Sequence, residues 1–206
     1  MFSLSEHIDD VIEFGGGDFA IDMSFDNIIN VQNLILDPKE DNFFKVAMTV
    51  TLLLDLDFEE IIENFDIDYL YDAFERLLEH IGFKNKNDDE SEQTSSEPQR
   101  VFDYEQDAEA IYASFFYAYK LDLIDVKGQL HYFKFRALLE NLPEDASLSK
   151  IIGYRTMKIP TQKEASKEYI SHVKKMKQLY KLDGGGEVYE DPDKFDYGGF
   201  RNKLKG

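Results

Sequence analysis

The residues that could carry hydrolytic or zinc chemistry include four histidines, His7, His80, His131 and His172. They lie far apart in the sequence, and none belongs to an HExxH spacing, which would bring two imidazoles to one helix face. The chain has no cysteine, which excludes a thiol nucleophile, a Cys-ligated zinc site and a disulfide framework. We therefore predict that the histidines are surface or helix-edge side chains and that there is no zinc site.

A run of carboxylates offers the oxygen ligands that calcium prefers: Asp55, Asp57, Glu59, Asp66, Asp68 and Asp72. An EF-hand loop needs such ligands at alternating positions, with a glycine for the turn and a terminal glutamate. Because apolar residues interrupt this run and it contains no glycine, we predict a solvated acidic helix face. No pair of carboxylates stands out as an acid–base couple. The sequence thus predicts no enzyme, no cofactor and no metal.

Charge is distributed unevenly along the chain, whose formal net charge is −19. Residues 1–99 contain 5 Lys/Arg and 25 Asp/Glu, whereas residues 100–206 contain 18 and 17. Phosphate contacts need cations, so direct nucleic-acid binding is not expected of the acidic half. A basic stripe near the C-terminus consists of Lys167, Lys174, Lys175, Lys177 and Lys181. We interpret it as the solvated side of an amphipathic helix. The alternatives are that it binds nucleic acid or an acidic partner, or that it complements the acidic first half or a neighbouring copy of the chain.

Membrane insertion and secretion are not indicated. The longest apolar stretch, residues 43–54, is shorter than the ~20 residues that cross a bilayer, and it contains Lys45. The first residues, MFSLSEHIDD, become acidic where a secretory signal is basic. We expect a cytoplasmic protein.

The elements that must position these residues are mainly helical. Apolar residues recur at helical spacing over residues 66–81, and helices are also predicted near 25–36, 41–54, 108–119 and 132–142. Gly15, Gly16 and Gly17 separate two short apolar segments, which predicts an N-terminal β-hairpin. A further helix is expected to begin near Thr161. The predicted fold class is mainly α, with two small helical subdomains and a short N-terminal hairpin.

Composition divides this chain into four parts. Residues 1–83 are predicted to form an acidic subdomain of hairpin and helices, and residues 102–182 a helical subdomain. Between them, residues 84–101 form a polar, acidic segment that is predicted to be a mobile linker. Residues 183–206 are predicted to form a flexible tail. Its aromatic residues, Tyr189, Phe195, Tyr197 and Phe200, could dock into a partner.

The second half contains two segments, FDYEQDAEAIYASFFYAYKLDL and GQLHYFKFRALLENLPEDASLSKIIGYRTMKIP, that carry a family resemblance. They resemble the gene product fifteen family of long-tailed phages and prophages of Gram-positive bacteria, whose typical motifs are IYAAF…YGIDL, LHWWKFRAL and IIGYRSMKI. The matching positions are Asp107, Ile111, Tyr112, Ala113, Phe115, Tyr119, Asp122, Leu123, Leu130, His131, Lys134, Phe135, Arg136, Ala137, Leu138, Ile152, Tyr154, Arg155, Met157 and Lys158. The chain departs from the family at Tyr132 and Phe133, where the family has two tryptophans, and at Lys120, where it has glycine.

The resemblance implies a tail-assembly chaperone or adaptor that binds the tape-measure or tail-tube protein during virion morphogenesis. The implied location is the cytoplasm of the infected bacterial host, and self-association is a further partner hypothesis. The predicted partner-binding residues are Tyr112, Phe116, Tyr119, Tyr132, Phe133, Arg136, Arg155 and Lys158. An alternative function, suggested by the acidic first half, is an acidic DNA mimic that inhibits a host defence nuclease.

Overall fold

The secondary structure is that of a computed structural model, which describes residues 9–82 and 101–183. Its elements, in chain order, are β1 Val11–Phe14, β2 Gly17–Ala20, α1 Phe25–Leu36, α2 Asn42–Leu54, α3 Phe58–Asn64, α4 Ile67–His80, α5 Ala108–Tyr119, α6 Tyr132–Glu140, α7 Ser147–Thr156 and α8 Lys167–Leu179. The prediction of a mainly α protein with a short N-terminal hairpin is confirmed. Except for Val101 and Asp183, the predicted linker 84–101 and tail 183–206, with its aromatics, lie outside the described residues.

The described chain packs as two units. The first contains residues 9–82 and 126–135, and the second contains residues 101–125 and 136–183. A boundary therefore falls within α6. The linear division at residues 83 and 102 did not anticipate that the ten residues 126–135 pack with the N-terminal elements.

The hairpin requires glycine at its turn. Gly15 has φ +60°, and a Cβ there would lie 2.9 Å from the ring of Phe65. The backbone N–H of Gly15 also donates to the hydroxyl of Tyr69, 2.6 Å away. Phe14 fixes the hairpin on the helices, because its ring lies 4.5 Å from that of Phe65 and 5.4 Å from that of Tyr69.

Acidic caps begin the helices of the first unit. The carboxylate of Asp41 accepts from two N–H groups at the start of α2, that of Asp57 from one in α3, and that of Asp66 from one in α4. Each bond satisfies a backbone donor that has no partner inside the helix. Two carboxylates of the acidic run, Asp57 and Asp66, therefore cap the N-termini of helices.

The core of the first unit lies among α1, α2 and α4, whose apolar stripes face one another. Fully buried side chains there include Ile28, Leu53, Phe74 and Leu77, and burying each of them stabilises the fold by about 1.5–3 kcal/mol. Lys45 is also buried, and its ammonium donates to the carbonyl of Ile35, 2.9 Å away, at the end of α1. Burial lowers the pKa of Lys45, opposed by the charges of Asp37 and Glu40.

Residues 126–135 join the first unit through backbone and side-chain bonds. The N–H of Phe25 donates to the carbonyl of Leu130 over 2.9 Å, and the N–H of Tyr132 donates to that of Met23 over 2.7 Å. The rings of Phe25 and Phe135 stack at 4.7 Å. These contacts make the segment a part of the core of the first unit.

Helix α8 begins later than the sequence indicated. Ser166 accepts from the N–H of Tyr169 and caps a helix that starts at Lys167. Thr161 instead closes a local turn, in which its N–H and hydroxyl both donate to one carboxylate oxygen of Glu164, at 2.7 and 2.8 Å. The prediction that the helix starts near Thr161 is wrong, because Thr161 is bonded within this turn.

Candidate partner-binding site

Helix α5 carries two exposed aromatic residues of the second unit, Phe116 and Tyr117. Its inner side is fixed by Ser114, which is fully buried. The Ser114 hydroxyl donates to the carbonyl of Ala110 over 2.6 Å and accepts from the N–H of Leu148 in α7 over 2.9 Å. Ile111 and Phe115 are buried beside it. The opposite side of the helix is thereby turned to solvent.

Tyr112 and Phe116 lie one turn apart on the outer side of α5. Their rings are close to parallel, with centroids 6.3 Å apart, and 50% of Phe116 is exposed. Tyr112 donates its hydroxyl to Oδ2 of Asp122 over 3.0 Å, while Oδ1 of the same carboxylate accepts from the N–H of Ile124 over 2.9 Å. Ile124 is 65% exposed. We call Tyr112, Phe116 and Ile124 the α5 surface.

Hydrogen bonds to carboxylates orient two phenols of this region. The bond to Asp122 raises the pKa of Tyr112, with burial and the charges of Asp122 and Asp125 acting in the same direction. Similarly, the bond to Asp145 and its charge raise the pKa of Tyr117. Each phenol therefore acts as a neutral hydrogen-bond donor that fixes a ring in place.

Tyr119 has a packing position at the end of α5. Its hydroxyl lies 2.8 Å from the carbonyl of Leu138 and 3.0 Å from that of Asn141. The helix then ends at Lys120, whose φ of +55° is left-handed. The position where the family has glycine is thus a turn that glycine would adopt without strain.

Arg155 lies at the centre of the second unit, and its side chain is only 8% exposed. Two guanidinium nitrogens bond the two oxygens of Asp107, at 2.6 and 2.8 Å. Arg155 also donates to the carbonyls of Val101 and Tyr180, at 2.9 and 2.6 Å. These bonds join residues before α5, within α7 and after α8, so the structure gives Arg155 an internal role.

The basic residues near α8 divide into two groups. The ammonium of Lys177 donates to the carbonyls of Tyr154, Arg155 and Met157, at 3.1, 2.6 and 2.8 Å, and so caps the end of α7. The other four lysines of the predicted stripe, with Lys158, are exposed. Lys177 therefore stabilises the fold, whereas the other lysines of the predicted stripe face solvent.

The remaining predicted partner-binding residues lie around α6. Tyr132 is fully buried, and its hydroxyl accepts from the side-chain amide of Gln32 over 2.9 Å. Phe133 is half-buried, and Arg136 pairs with Glu140 one turn later, at 2.8 Å. The structure gives Tyr132 a core position instead of the surface position that direct partner contact requires.

Two of the histidines, far apart in sequence, meet at one carboxylate in the first unit. Nε2 of His80 lies 3.0 Å from Oδ1 of Asp10, and Nε2 of His131 lies 3.0 Å from Oδ2. Nδ1 of His131 accepts from the N–H of Phe133, so the proton of this ring lies on Nε2 and points to Asp10. His172 lies near Tyr154, and His7 is outside the described residues. In residues 9–82 and 101–183, no group of three or more potential ligands could hold a metal ion.

The α5 surface brings together only part of the predicted set. Tyr112 and Phe116 form it, whereas Tyr119 and Arg155 support the second unit from inside. Sequence reasoning missed Ile124, an apolar residue in the polar turn LDLIDVKG, whose position depends on the side-chain bonds of Asp122.

These features define a helical protein with an exposed aromatic surface and two internally bonded units. A model of the family described as Bacteriophage Gp15 protein matches residues 4–182, and the chain belongs to this family. The resemblance read from the sequence is confirmed, and the protein is a phage protein. No curated protein and no solved structure matches the chain. Within the described ranges, no helix is long and apolar enough to cross a membrane.

Proposed function

We propose that the protein is a tail-assembly chaperone or adaptor that binds the tape-measure or tail-tube protein in the cytoplasm of the infected host. It acts by binding and not by catalysis. The observation that carries this proposal is the α5 surface, where Phe116 and Ile124 are half or more exposed. Large exposed apolar side chains held together in this way typically mark a protein-binding surface.

The geometry of the α5 surface suits an apolar helix of a partner. Tyr112 and Phe116 are one turn apart and stacked, so they present one continuous ring surface. The bond from Tyr112 to Asp122 orders that surface before a partner arrives, which reduces the entropy lost on binding. Asp122 also fixes the backbone beside Ile124. An amphipathic client helix would place its apolar residues on these side chains.

The high negative charge of the chain supports the same function. A formal charge of −19 keeps a complex with an aggregation-prone client away from neutrality. Such a charge favours solubility and says nothing about which client is bound. Client specificity would therefore come from the apolar contacts.

The test is co-expression of the tagged protein with the tape-measure and tail-tube proteins of its phage, followed by affinity purification and titration of the complex. We expect a specific complex with one of the two and a larger soluble fraction of that client. The double variant Phe116→Ser/Ile124→Ser is expected to weaken binding by about tenfold or more. A matched control, Ile62→Ser/Ile159→Ser, removes two exposed isoleucines elsewhere and is expected to bind as the wild type does.

The two parts of the proposal fail separately. Failure to recover either tail protein with the wild-type chain would overturn the chaperone function. If Phe116→Ser/Ile124→Ser and the control variant both bound the client as tightly as the wild type, the chaperone function would stand. The α5 surface would then not be the client-binding site. Circular dichroism of each variant checks that the helices are retained.

A further inference from the structure

The outer face of α8 is basic and is not used by the second unit. Val173 is the buried residue of this helix, whereas Lys167, Lys174 and Lys175 are exposed. Lys167 and Lys174 are seven residues apart, close to two helical turns, so they lie on one line. Leu179 follows Lys175 by four residues, so it lies on the same side of the helix as that lysine, and it is 64% exposed. The face therefore combines several cations with an apolar side chain.

Helix α4 of the first unit presents the opposite charge. Asp68, Asp72 and Glu79 are exposed, and Glu75 is half-buried. Their spacing of four, three and four residues places them on one line, roughly 16 Å long at 1.5 Å per residue. Arg76 is the one lysine or arginine between residues 46 and 83, and it pairs with Asp72 at 3.1 Å. The line is therefore strongly acidic.

Two exposed isoleucines lie at or just before the start of α4 in the chain. Ile67, at the start of α4, is 49% exposed, and Ile62 in α3 is 40% exposed. A helix that carries both cations and a leucine would match this surface in charge and in apolar contact. The outer face of α8 has that composition.

We propose that the protein self-associates head to tail, with the outer face of α8 in one copy docked along the acidic line of α4 in a second copy. Two different surfaces of the chain meet in this contact, so it is heterologous. Exposed charges are screened within a Debye length of about 10 Å at 0.1 M salt, so the association weakens as salt rises. The proposal is independent of the client-binding function and of the α5 surface.

A second copy fits the α8 face better than a nucleic acid does. The chain carries a formal charge of −19, which repels a polyanion over distance. Glu168 lies in the first turn of the same helix, where it disfavours a continuous phosphate track. Leu179 also gains no apolar partner from a phosphate backbone, whereas α4 offers Ile67.

The proposal is tested by sedimentation velocity of the full chain over a range of concentrations at 50 and 500 mM NaCl. We expect concentration-dependent association at low salt that weakens about tenfold or more at high salt. The variants Lys167→Glu/Lys174→Glu and Asp72→Lys/Glu79→Lys should each lose association by about tenfold or more, because attraction becomes repulsion. The control Lys150→Glu/Lys163→Glu makes the same change in net charge as Lys167→Glu/Lys174→Glu with exposed lysines outside α8, and it should associate as the wild type does.

An equimolar mixture of the two charge-reversed variants provides the decisive measurement. In the mixture, the unchanged α8 of one variant can dock on the unchanged α4 of the other, and the two reversed faces also have opposite charge. The mixture should therefore regain association to within about threefold of the wild type. A monomer at every concentration in 50 mM NaCl would overturn the proposal. So would a mixture that stays monomeric, or a fluorescent 30-mer DNA that binds α8 more tightly than the second copy does.

Discussion

The first and second units are held together by different kinds of interaction. Twenty-two of the buried apolar residues belong to the first unit and seven to the second, although the units have similar numbers of described residues. In the first unit, helices α1, α2 and α4 close over a continuous apolar interior. The second unit uses the guanidinium of Arg155 to join chain segments that few apolar contacts connect.

This difference determines which substitutions each unit tolerates. An apolar interior loses stability in proportion to the atoms and the packing that are removed. A buried ion pair loses stability mainly when one partner is removed and the other charge stays behind. The first unit should therefore be sensitive to cavities, and the second to the loss of one particular polar group.

The largest effect is expected for Arg155→Met. Removing the guanidinium leaves the Asp107 carboxylate buried without its ion-pair partner, which costs about 3–5 kcal/mol. Hydrogen exchange measured by mass spectrometry should show faster exchange in residues 101–125 and 136–183, with residues 9–82 unchanged. The control is Arg136→Met, whose more exposed pair with Glu140 is worth about 0–1 kcal/mol. If the two variants showed equal hydrogen-exchange rates in the second unit, Arg155 would not be the residue that stabilises it.

Leu77→Ala is expected to have the converse effect. Leu77 is fully buried in the first unit, and its truncation should cost about 2–5 kcal/mol. Urea unfolding gives the total loss, and hydrogen exchange should place it in residues 9–82 and 126–135. Leu179→Ala removes the same atoms from an exposed leucine and should stay within about 0.5 kcal/mol of the wild type. If both variants lost equal stability, the first unit would not depend on its apolar interior.

The smallest expected change in stability concerns the C-terminal ends of two helices, one in each unit. Helix α2 ends at Asp55 with φ +50°, and α5 ends at Lys120 with φ +55°. Aspartate tolerates the left-handed region better than lysine does. Lys120→Gly should therefore raise the free energy of unfolding by about 0.5–1 kcal/mol, and Asp55→Gly by less. Thermal unfolding of both variants measures the difference, and a larger gain for Asp55→Gly would contradict this account.

Local signals in the sequence were sufficient for α1, α2, α4, α5 and α6, whereas the short helix α3 was not predicted. The apolar spacing over residues 66–81 predicted α4 closely, and the stretch over residues 41–54 predicted α2, because both depend on neighbours within a few turns. The later start of α8 was missed, since Thr161 and Ser166 are both residues that cap helices. The bond that decides between them is the one that the N–H of Thr161 donates to the carboxylate of Glu164.

Contacts between residues far apart in the chain could not be predicted from the sequence. The pattern around α6 showed an apolar stripe that includes Tyr132, but nothing in it named Gln32 as the partner of that hydroxyl. The histidines were read as isolated because Asp10, which joins two of them, is 70 and 121 residues away. Arg155 was recognised by its motif, but its pairing with Asp107 requires the folded chain.

The assignment of residues 126–135 to the first unit has a consequence for synthesis on the ribosome. Phe25 needs the ring of Phe135, and Asp10 needs His131, so the N-terminal unit cannot complete itself when only its own helices have emerged. The nascent chain must wait until all of α5, the segment after it and the first residues of α6 have been translated. A fragment that ends before residue 126 would leave Phe25 and Asp10 without these partners permanently. We expect host proteases to degrade such a fragment.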